Sequence, residues 1–357
     1  MKNELKLDYT YALILEKLYK TKRMTQIARE LHMSKEAVRK RLKKLMAYGR
    51  IMAKINYRRI GLSRIFLMIK GYRIDDKNAL MYRYIRAIVK LLTPRGEIAL
   101  TYITPPKGYE NKLIEYCKEV IGGKIISSFK IYDVLTWRPV SKLYDFGSED
   151  FPIRWNNILN NVLDGYINLE VLPKYGDDDD DFVGKIDRID LNIIRALEKN
   201  ALINMGYISR RLNKNSQLIN YHYNKHVKPL IENYCMNIVF GRYSKIPASY
   251  HILSFNSREK MLSFISSIMV FPAFKYIYIY EEKPEIMLLA TLDHTDHFNF
   301  MRIISVLKDE NIIRNYYLLG YMEEILFYDV LPQGAKYIES RRLIIPEEKL
   351  IVQKIKK

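Results

Sequence analysis

The sequence predicts an α+β protein made of two tandem copies of one architecture, a winged helix-turn-helix unit followed by a ferredoxin-like βαββαβ sandwich. Two observations predict this fold class. A pattern of three short helices occurs near the start and again near the middle of the chain, and strand-like and helix-like periodicities alternate after each triplet. With 357 residues, 48% of them hydrophobic, the chain can form several domains with separate cores.

The helix triplet occurs twice with matched landmarks. Each copy opens with an aliphatic residue and an aspartate, at 7–8 and 186–187, followed by apolar residues at helical spacing. Each third helix starts at a residue that can cap it, Ser34 or Asn215. Two short matches alone would be weak, but the agreement in helix order and spacing indicates a repeat. The paired segments are 7–20 with 186–199, 24–33 with 205–214, and IYDVL (131–135) with FYDVLP (327–332).

The residues after each triplet predict the sandwich. In the second copy the expected elements are strands at 249–255, 274–280, 285–292 and 313–328, with helices at 257–269 and 295–308. In the first copy they are strands at 64–72, 97–103 and 125–135, with helices at 78–91 and 109–121. The second strand of the first copy is expected to be reduced to a few residues before TPRGE, which would account for much of the 17-residue difference between the copies.

These patterns divide the chain into six expected segments. The segment between the copies contains a predicted helix and then five consecutive aspartates, which repel one another and favour a flexible linker; competition of this acidic run with DNA for the basic faces is a sharper alternative. The segments are a first winged helix-turn-helix (1–61), a first ferredoxin-like domain (62–144), a helical and acidic linker (145–184), a second winged helix-turn-helix (185–245), a second ferredoxin-like domain (246–335) and a basic C-terminal tail (336–357).

The charge balance favours a polyanionic partner. Lys and Arg number 59 against 40 Asp and Glu, a net charge of +19, and residues 1–60 alone carry 17 basic and 5 acidic side chains. No signal peptide or membrane-spanning stretch is expected, and Cys117 and Cys235 form no metal-type pair. A cytoplasmic, nucleoid-associated protein with reduced cysteines is the resulting expectation.

The third helix of the first copy is predicted to enter the major groove of DNA, which admits one α-helix. Val38, Leu42 and Leu45 form its packed stripe, so the cationic side chains lie outward, and the strand after Gly49 forms the wing. A solvated basic helix with no ligand is the alternative for such a run. The predicted DNA-binding residues are Ser34, Lys35, Arg39, Lys40, Arg41, Lys43 and Lys44 on the helix, and Lys54, Arg58 and Arg59 on the wing.

The third helix of the second copy has a different outward face. Its amide side chains suit bidentate contacts with adenine and its tyrosine suits a phosphate or a thymine methyl, so this helix is predicted to be the more selective of the two. Pro229 should end or kink the helix near Lys228. A purely structural role for this unit is the alternative. The predicted DNA-binding residues are Ser216, Gln217, Asn220, Tyr221, Asn224 and Lys225.

Two histidine patterns resemble metal ligands. The HTDH motif (294–297) lies where a helix should begin, and Asp293, just before it, and Thr295 are expected to be caps. His222 and His226 have the i, i+4 spacing of a zinc pair without an evident third ligand. The sequence also contains no phosphate-binding loop, nucleophile elbow or carboxylate pair typical of hydrolases. The expectation is therefore a protein that is not an enzyme, with no catalytic residues, no metal and no cofactor.

The stretch LDYTYALILEKL…MTQIARELHMSKEAVRKRLKKLMAYGRI, the repeated opening IDRIDLNIIRALEKN and the following sandwich pattern resemble the leucine-responsive regulatory protein/AsnC family of bacterial and archaeal transcription regulators, here with an internal duplication. That resemblance implies DNA contact through the third helix and wing, and dimerisation and small-molecule effector sensing through the sandwich. The duplication makes either a homodimer or a pseudo-dimer within one chain the expected arrangement. The sequence names no effector-binding residues.

Double-stranded DNA is thus the expected partner of a sequence-specific transcription regulator that does not bind membranes. Two other functions stay open. One is an abundant chromatin-organising protein that coats DNA with little sequence choice. The other is an enzyme similar to the siroheme decarboxylases, which pair a similar helical unit with a similar sandwich, although no haem-pocket motif of such enzymes is identifiable in the sequence and a strongly basic segment has little use in them.

Overall fold

The computed structural model describes residues 7–73, 85–170, 172, 186–238, 246–328, 338–339 and 342–343 of a mixed α/β protein. The helices are α1 (Tyr9–Lys20), α2 (Met24–Glu30), α3 (Lys35–Met46), α4 (Glu110–Ile121), α5 (Trp155–Leu163), α6 (Arg188–Lys199), α7 (Met205–Leu212), α8 (Ser216–His222), α9 (Arg258–Ile268) and α10 (His294–Asp309). The strands are β1 (Gly49–Ile55), β2 (Ile65–Lys70), β3 (Ile85–Thr93), β4 (Gly96–Ile103), β5 (Lys124–Thr136), β6 (Ile231–Ile238), β7 (Ser249–Phe255), β8 (Phe274–Tyr280), β9 (Glu285–Ala290), β10 (Ile313–Tyr328), β11 (Ile338–Glu339) and β12 (Arg342–Leu343).

The chain divides into two compact units, each assembled from segments that are distant in sequence. Unit 1 comprises Met1–Met52, Tyr132–Tyr175 and Asn233–Tyr321, and unit 2 comprises Ala53–Ile131, Gly176–Glu232 and Met322–Lys357. Each unit therefore combines the helix triplet of one copy with sheet strands that follow the other triplet. The division into six sequential segments expected from the sequence stays a prediction.

The first helix triplet, α1 to α3, belongs to unit 1, and its third helix begins at the expected cap, Ser34. The Asp8 side chain accepts a hydrogen bond from the Tyr11 backbone N–H, and Ser34 Oγ accepts one from Ala37 N–H at 3.1 Å, so both helix starts have a capped donor. A residue outside the triplet also contacts α1 within unit 1. The Ser141 backbone N–H donates a hydrogen bond to the Glu16 carboxylate of α1 at 2.6 Å.

The sheet of unit 1 follows the element order β7–α9–β8–β9–α10–β10. Its strands are antiparallel neighbours in the order β10–β7–β9–β8. The two helices pack against the sheet through buried aromatic and aliphatic side chains, and α5 adds Ile158 and Val162 to the same core. The helix expected in the segment 145–184 is therefore confirmed as α5. Its Trp155 donates an indole hydrogen bond to Asp296 at 3.0 Å, which ties α5 to the first turn of α10.

The second triplet, α6 to α8, belongs to unit 2. Asp187 caps α6 through a reciprocal capping box with Asp190, and Asn215 caps α8, as expected. After His222 the helix continues as a π-helical turn (Tyr223–Val227) and a 3₁₀ turn (Lys228–Leu230). The predicted kink near Lys228 is thus confirmed, because Pro229 has no N–H to donate into the last helical turn. The departure from α-helical geometry begins five residues before Lys228, at Tyr223.

The sheet of unit 2 corrects one expectation. Residues 85–91 of the helix expected at 78–91 form strand β3, and 78–84 lie outside the described residues. Ile85, Ile88 and Val89 are β-branched, and their spacing fits a buried strand as well as a helix. The TPRG segment then makes a tight hairpin in which Thr93 pairs with Gly96, whose φ of 96° favours glycine. The strand order is β3–β4–β2–β5, and because β3 has 9 residues, the expectation that this strand is reduced to a few residues is also wrong.

A buried ion pair joins the second triplet to this sheet within unit 2. Arg86 in β3 lies 3.0 Å from the Glu198 carboxylate in α6, and both side chains are 9% exposed. The Tyr57 hydroxyl accepts a hydrogen bond from Arg86 and donates one to Glu198. Burial is the main reason that the pKa of Tyr57 lies well above its ordinary value, so this hydroxyl stays a neutral donor.

The predicted wing is also corrected. β1 pairs with β6 in a two-stranded sheet, so the strand after the first triplet does not form a hairpin with its own continuation. In unit 2, Asn56 N–H donates to the Leu230 carbonyl at 2.9 Å, and in unit 1, Cys235 Sγ lies 3.7 Å from the Met52 carbonyl. Pairing with β6 supplies β1 with backbone hydrogen-bond partners.

Several expectations fall on residues outside the described part of the chain: the acidic run at 175–184 and most of the tail at 336–357, of which only β11 and β12 are described. Cys117 and Cys235 are buried thiols, as the sequence indicated. Among the described residues, no helix combines the length and the apolar character that crossing a bilayer requires.

Candidate nucleic-acid interface

Helix α3 presents the predicted cationic face to solvent. Its apolar stripe, Val38, Leu42 and Leu45, is buried against the other helices of the triplet, which fixes the opposite side outward. Five of the predicted contact side chains on this helix are exposed: Lys35, Arg39, Lys40, Lys43 and Lys44. The structure therefore brings these cations together on one surface of unit 1, here called the α3 face.

Two basic residues of α3 already have partners within the protein. Arg39 forms a two-pronged pair with Glu36, with distances of 2.8 and 2.9 Å, and both side chains are more than half exposed. The guanidinium of Arg41 lies 5.9 Å from the ring centroid of Tyr11 and is only half-exposed, so it packs on α1. Lys40, Lys43 and Lys44 are thus the α3 cations best placed to meet an external anion.

The three predicted wing residues differ in how accessible they are to an external anion. Lys54 is buried and its Nζ lies 2.5 Å from a carboxylate oxygen of Glu232 in unit 2, so it cannot reach DNA without breaking that pair. Arg58 and Arg59 lie half-buried in a 3₁₀ turn, and the Arg59 guanidinium donates to the Pro229 carbonyl at 3.3 Å. The reason is the pairing of β1 with β6, which turns Lys54 toward Glu232.

Helix α8 and its π-helical extension present the second predicted face. All six predicted contact residues are exposed: Ser216, Gln217, Asn220, Tyr221, Asn224 and Lys225. Tyr221 is 53% exposed, a large value for an aromatic ring and one that leaves it accessible to a ligand. Only one of the six is a cation, so this face, called the α8 face, offers hydrogen bonds more than charge.

A buried polar cluster lies directly behind the α8 face in unit 2. His222 Nδ1 lies 2.8 Å from Asp190 Oδ1, and His226 Nδ1 lies 3.1 Å from Asp190 Oδ2. Burial raises the pKa of the Asp190 carboxyl, against the opposing effects of hydrogen bonds from the Asp187 backbone and His222. The sequence pattern revealed the two histidines but not Asp190, because Asp190 lies on another helix, where it takes part in the capping box of α6.

The second histidine pattern, the HTDH motif, lies in the first turn of α10, where the sequence predicted the start of a helix. Asp293 caps α10 by accepting a hydrogen bond from the Asp296 backbone N–H at 2.8 Å. The sequence pattern did not reveal the nearby His251 of unit 1, which is fully buried in β7. His251 Nε2 lies 2.7 Å from Ser249 Oγ and its Nδ1 lies 3.0 Å from the Tyr316 hydroxyl, and burial, with a smaller effect of His297, lowers its pKa to about 3.

Unit 1 also contains a partly open cavity of about 220 Å³. It lies between α5 and α9, and its lining is a mixture of apolar and amide or hydroxyl groups with one cation, Arg154. The volume is below the usual range for drug-sized ligands, about 300–1,000 Å³.

Comparisons with known proteins identify the second triplet. Residues 186–231 match the family described as winged helix-turn-helix DNA-binding. No curated protein matches the sequence. The fold of the chain is similar to that in the crystal structure of the siroheme decarboxylase NirDL, with a TM-score of 0.52 and 11% identity over 91% of this chain and 94% of that chain. A co-complex of NirDL with an iron-uroporphyrin III analogue matches similarly, with a TM-score of 0.51 and 10% identity over 88% of this chain and 92% of that chain.

The expectation that the chain is not an enzyme is corrected by these matches. NirDL is named as an enzyme, and its fold covers nearly the whole of both chains, so this architecture does not exclude catalysis. At 11% identity the likeness concerns the fold. What the comparisons establish for this chain is a winged helix-turn-helix DNA-binding domain within a fold similar to that of NirDL.

Proposed function

We propose that the protein is a sequence-specific DNA-binding transcription regulator that contacts DNA through the third helix of each triplet. The observation that carries the proposal is the α3 face, where exposed lysines stand on one side of a helix whose other side is packed. The match of the second triplet to winged helix-turn-helix DNA-binding domains supports the same use of α8.

The two faces divide the work of recognition. The α3 face supplies charge, which binds phosphates without reading sequence, and the α8 face supplies amide and tyrosine groups, which read base edges. Unequal faces suit unequal half-sites in the operator. The proposed contact residues are Ser34, Lys35, Arg39, Lys40, Lys43 and Lys44 on α3, and Ser216, Gln217, Asn220, Tyr221, Asn224 and Lys225 on α8 and its extension. Arg41, Arg58 and Arg59 are proposed as flanking phosphate contacts.

The proposal extends to the architecture and its origin. The order β–α–β–β–α–β in unit 1 and the equivalent strand order in unit 2 support two ferredoxin-like domains that arose by tandem duplication in a relative of the leucine-responsive regulatory protein/AsnC family. The copies form a pseudo-dimer within the chain or a homodimer. The cavity near Arg154 is the proposed place for a small-molecule effector.

The salt dependence of DNA binding tests this function. The combined replacement of Lys40, Lys43 and Lys44 by Ala removes three exposed cations without touching the packed stripe. If each contacts one phosphate, the slope of log K against log salt becomes shallower by about 0.9 for each, about 2.7 in total. Fluorescence anisotropy of a labelled duplex, measured with the full-length protein over a series of salt concentrations, gives this slope.

A matched control is available on the sheet side of unit 2. Lys118, Lys124 and Lys130 are also exposed, and their combined replacement by Ala changes the net charge by the same amount. The slope should stay at the wild-type value in this control. An unchanged slope in the α3 variant, or equal changes in both variants, would show that α3 does not bind DNA.

A second candidate function is that of an enzyme acting on an iron tetrapyrrole. The observation that favours it is the extent of the fold likeness to NirDL, which a winged helix match over 46 residues does not explain. Incubation of the purified protein with siroheme tests it: a shifted absorption spectrum and loss of carboxyl groups from the tetrapyrrole support the enzyme, and an unchanged tetrapyrrole rejects it. Uniform coverage of genomic DNA would instead favour the chromatin-organising alternative.

A further inference from the structure

The polar cluster behind the α8 face contains the ligand set of a metal site. Asp190 belongs to α6, His222 is the last residue of α8, and His226 lies in the π-helical turn that follows. One ligand atom from each lies within 4.8 Å of the other two. We propose that Asp190, His222 and His226 bind one divalent metal ion of the Zn²⁺ class.

The donor atoms and their spacing suit zinc. Two imidazole nitrogens and one carboxylate oxygen are typical zinc ligands, and a water completes the tetrahedron. Zinc–ligand bonds of about 2.0–2.1 Å place neighbouring donors of a tetrahedral site about 3.3 Å apart. Asp190 Oδ1 lies 2.8 Å from His222 Nδ1 and 3.2 Å from His226 Nδ1, and both distances are close to the donor separation of a tetrahedral zinc site.

The carboxylate is held in place by its own helix. Asp190 is fully buried, and its Oδ2 accepts a hydrogen bond from the Asp187 backbone N–H at 2.9 Å as half of the capping box. Such outer contacts orient metal ligands and lower the cost of assembling the site. His222 is buried as well, while the His226 side chain is 33% exposed and gives an ion a route from solvent.

The local helix geometry is unusual at the same place. The helix changes from α to π immediately after His222, and the π-helical turn contains His226. Single π-helical turns are rare and are often found at functional sites. Here the turn places both imidazoles beside Asp190, with their ring centroids 5.0 Å apart and their planes at 84°.

The first triplet shows that this part of the fold does not require a metal-type cluster. When the two triplets are aligned at their aspartates and third-helix caps, the positions of Asp190 and His222 correspond to Tyr11 and Arg41. Those two side chains pack on each other in unit 1, with the guanidinium 5.9 Å from the ring centroid. The ligand set in unit 2 is therefore a feature of that copy and not a requirement of the three-helix fold.

A bound ion would join α6 to the third helix and fix the α8 face. The Tyr221 ring lies edge-on to both imidazoles, with centroid distances of 5.7 Å to His222 and 5.5 Å to His226. Immobilising the imidazoles would restrict this exposed ring. The metal site itself does not depend on DNA binding and can be tested without DNA.

Metal titration of the full-length protein tests the proposal. The protein is stripped with a chelator, dialysed, and titrated with Zn²⁺ by calorimetry and with Co²⁺, whose visible absorption reports tetrahedral coordination. The wild type should bind one ion per chain. The variants His226→Ala and Asp190→Asn should each bind at least tenfold more weakly, since even outer-contact mutations cost about 10- to 100-fold.

His294→Ala is the matched control, because His294 is an exposed histidine outside the cluster and its loss should leave the affinity unchanged. No saturable binding by the wild type, or equal affinity in the wild type and both cluster variants, would overturn the proposal. X-ray absorption of the zinc-loaded wild type decides the matter if a variant fails to fold. Two imidazoles in a nitrogen and oxygen shell support the site, and sulfur ligands or a shell without imidazole reject it.

Discussion

Replacement of Glu198 by Gln should destabilise unit 2, because it leaves the Arg86 guanidinium buried without its counter-charge. The two side chains are each 9% exposed and lie 3.0 Å apart, so water cannot take the place of the lost carboxylate charge. Removing one partner of a buried ion pair costs about 3–5 kcal/mol in the free energy of unfolding. Tyr57→Phe removes the hydroxyl between them and should cost less, about 1–3 kcal/mol.

The double variant Arg86→Met with Glu198→Leu separates the charge effect from packing. Buried ion pairs replaced by apolar residues of similar size are often neutral or stabilising, so the double variant should lie within about 1 kcal/mol of the wild type or above it. The coupling free energy in this cycle should be large because the two residues are in direct contact.

Hydrogen exchange measured by mass spectrometry is the suitable assay, because a chain with two compact units need not unfold in one step. Glu198→Gln should speed exchange in α6 and β3 and leave the sheet of unit 1 unchanged. The reasoning is refuted if Glu198→Gln costs less than about 1 kcal/mol, or if the double variant is as unstable as the single one.

Three further results are expected. Replacing Asn220 and Tyr221 by Ala should reduce discrimination between DNA sequences by about 1–3 kcal/mol for each base that is no longer read, with little change in non-specific affinity. Competition binding measures this difference, and an equal weakening on all sequences would contradict the prediction. Zn²⁺ at 100 times its dissociation constant should raise the stability of unit 2 by about 2.7 kcal/mol in thermal unfolding, and His226→Ala should abolish the effect; an equal gain in that variant would count against the metal site. The buried His251, with its pKa lowered to about 3, stays neutral in the folded protein, whereas in the unfolded chain it takes up a proton near pH 6.5. The free energy of unfolding of unit 1 is therefore highest above pH 6.5, and it falls by up to about 1.4 kcal/mol per pH unit as the pH drops toward 3. His251→Gln should flatten this dependence, and an unchanged pH profile would contradict it.

Local signals predicted much of the secondary structure. The caps Ser34 and Asn215 and the apolar stripe of α3 could be read from the sequence, because capping and helical periodicity depend on residues a few positions apart. The strands and helices of residues 249–328 were equally accessible, since their turns and apolar runs are well separated.

Features that depend on distant partners could not be predicted. The segment at β3 has a spacing that fits helix or strand, and its pairing with β4 decided the outcome. Lys54 was expected to contact DNA. Its ion pair with Glu232 could not be predicted, because the two positions are 178 residues apart in the sequence. Asp190 was not predicted as a partner of His222 and His226 for the same reason, since it lies 32 residues before His222 and outside the local pattern that contains both histidines.

Site-specific photocrosslinking tests most directly the central claim that α3 lies on DNA. A benzophenone amino acid is placed at Lys43 of the α3 face or at Lys118 of α4 as the control, and the full-length protein is irradiated with a labelled duplex. The account predicts a covalent protein–DNA adduct from position 43 and none from position 118. No adduct from position 43, or equal adducts from both positions, would contradict it.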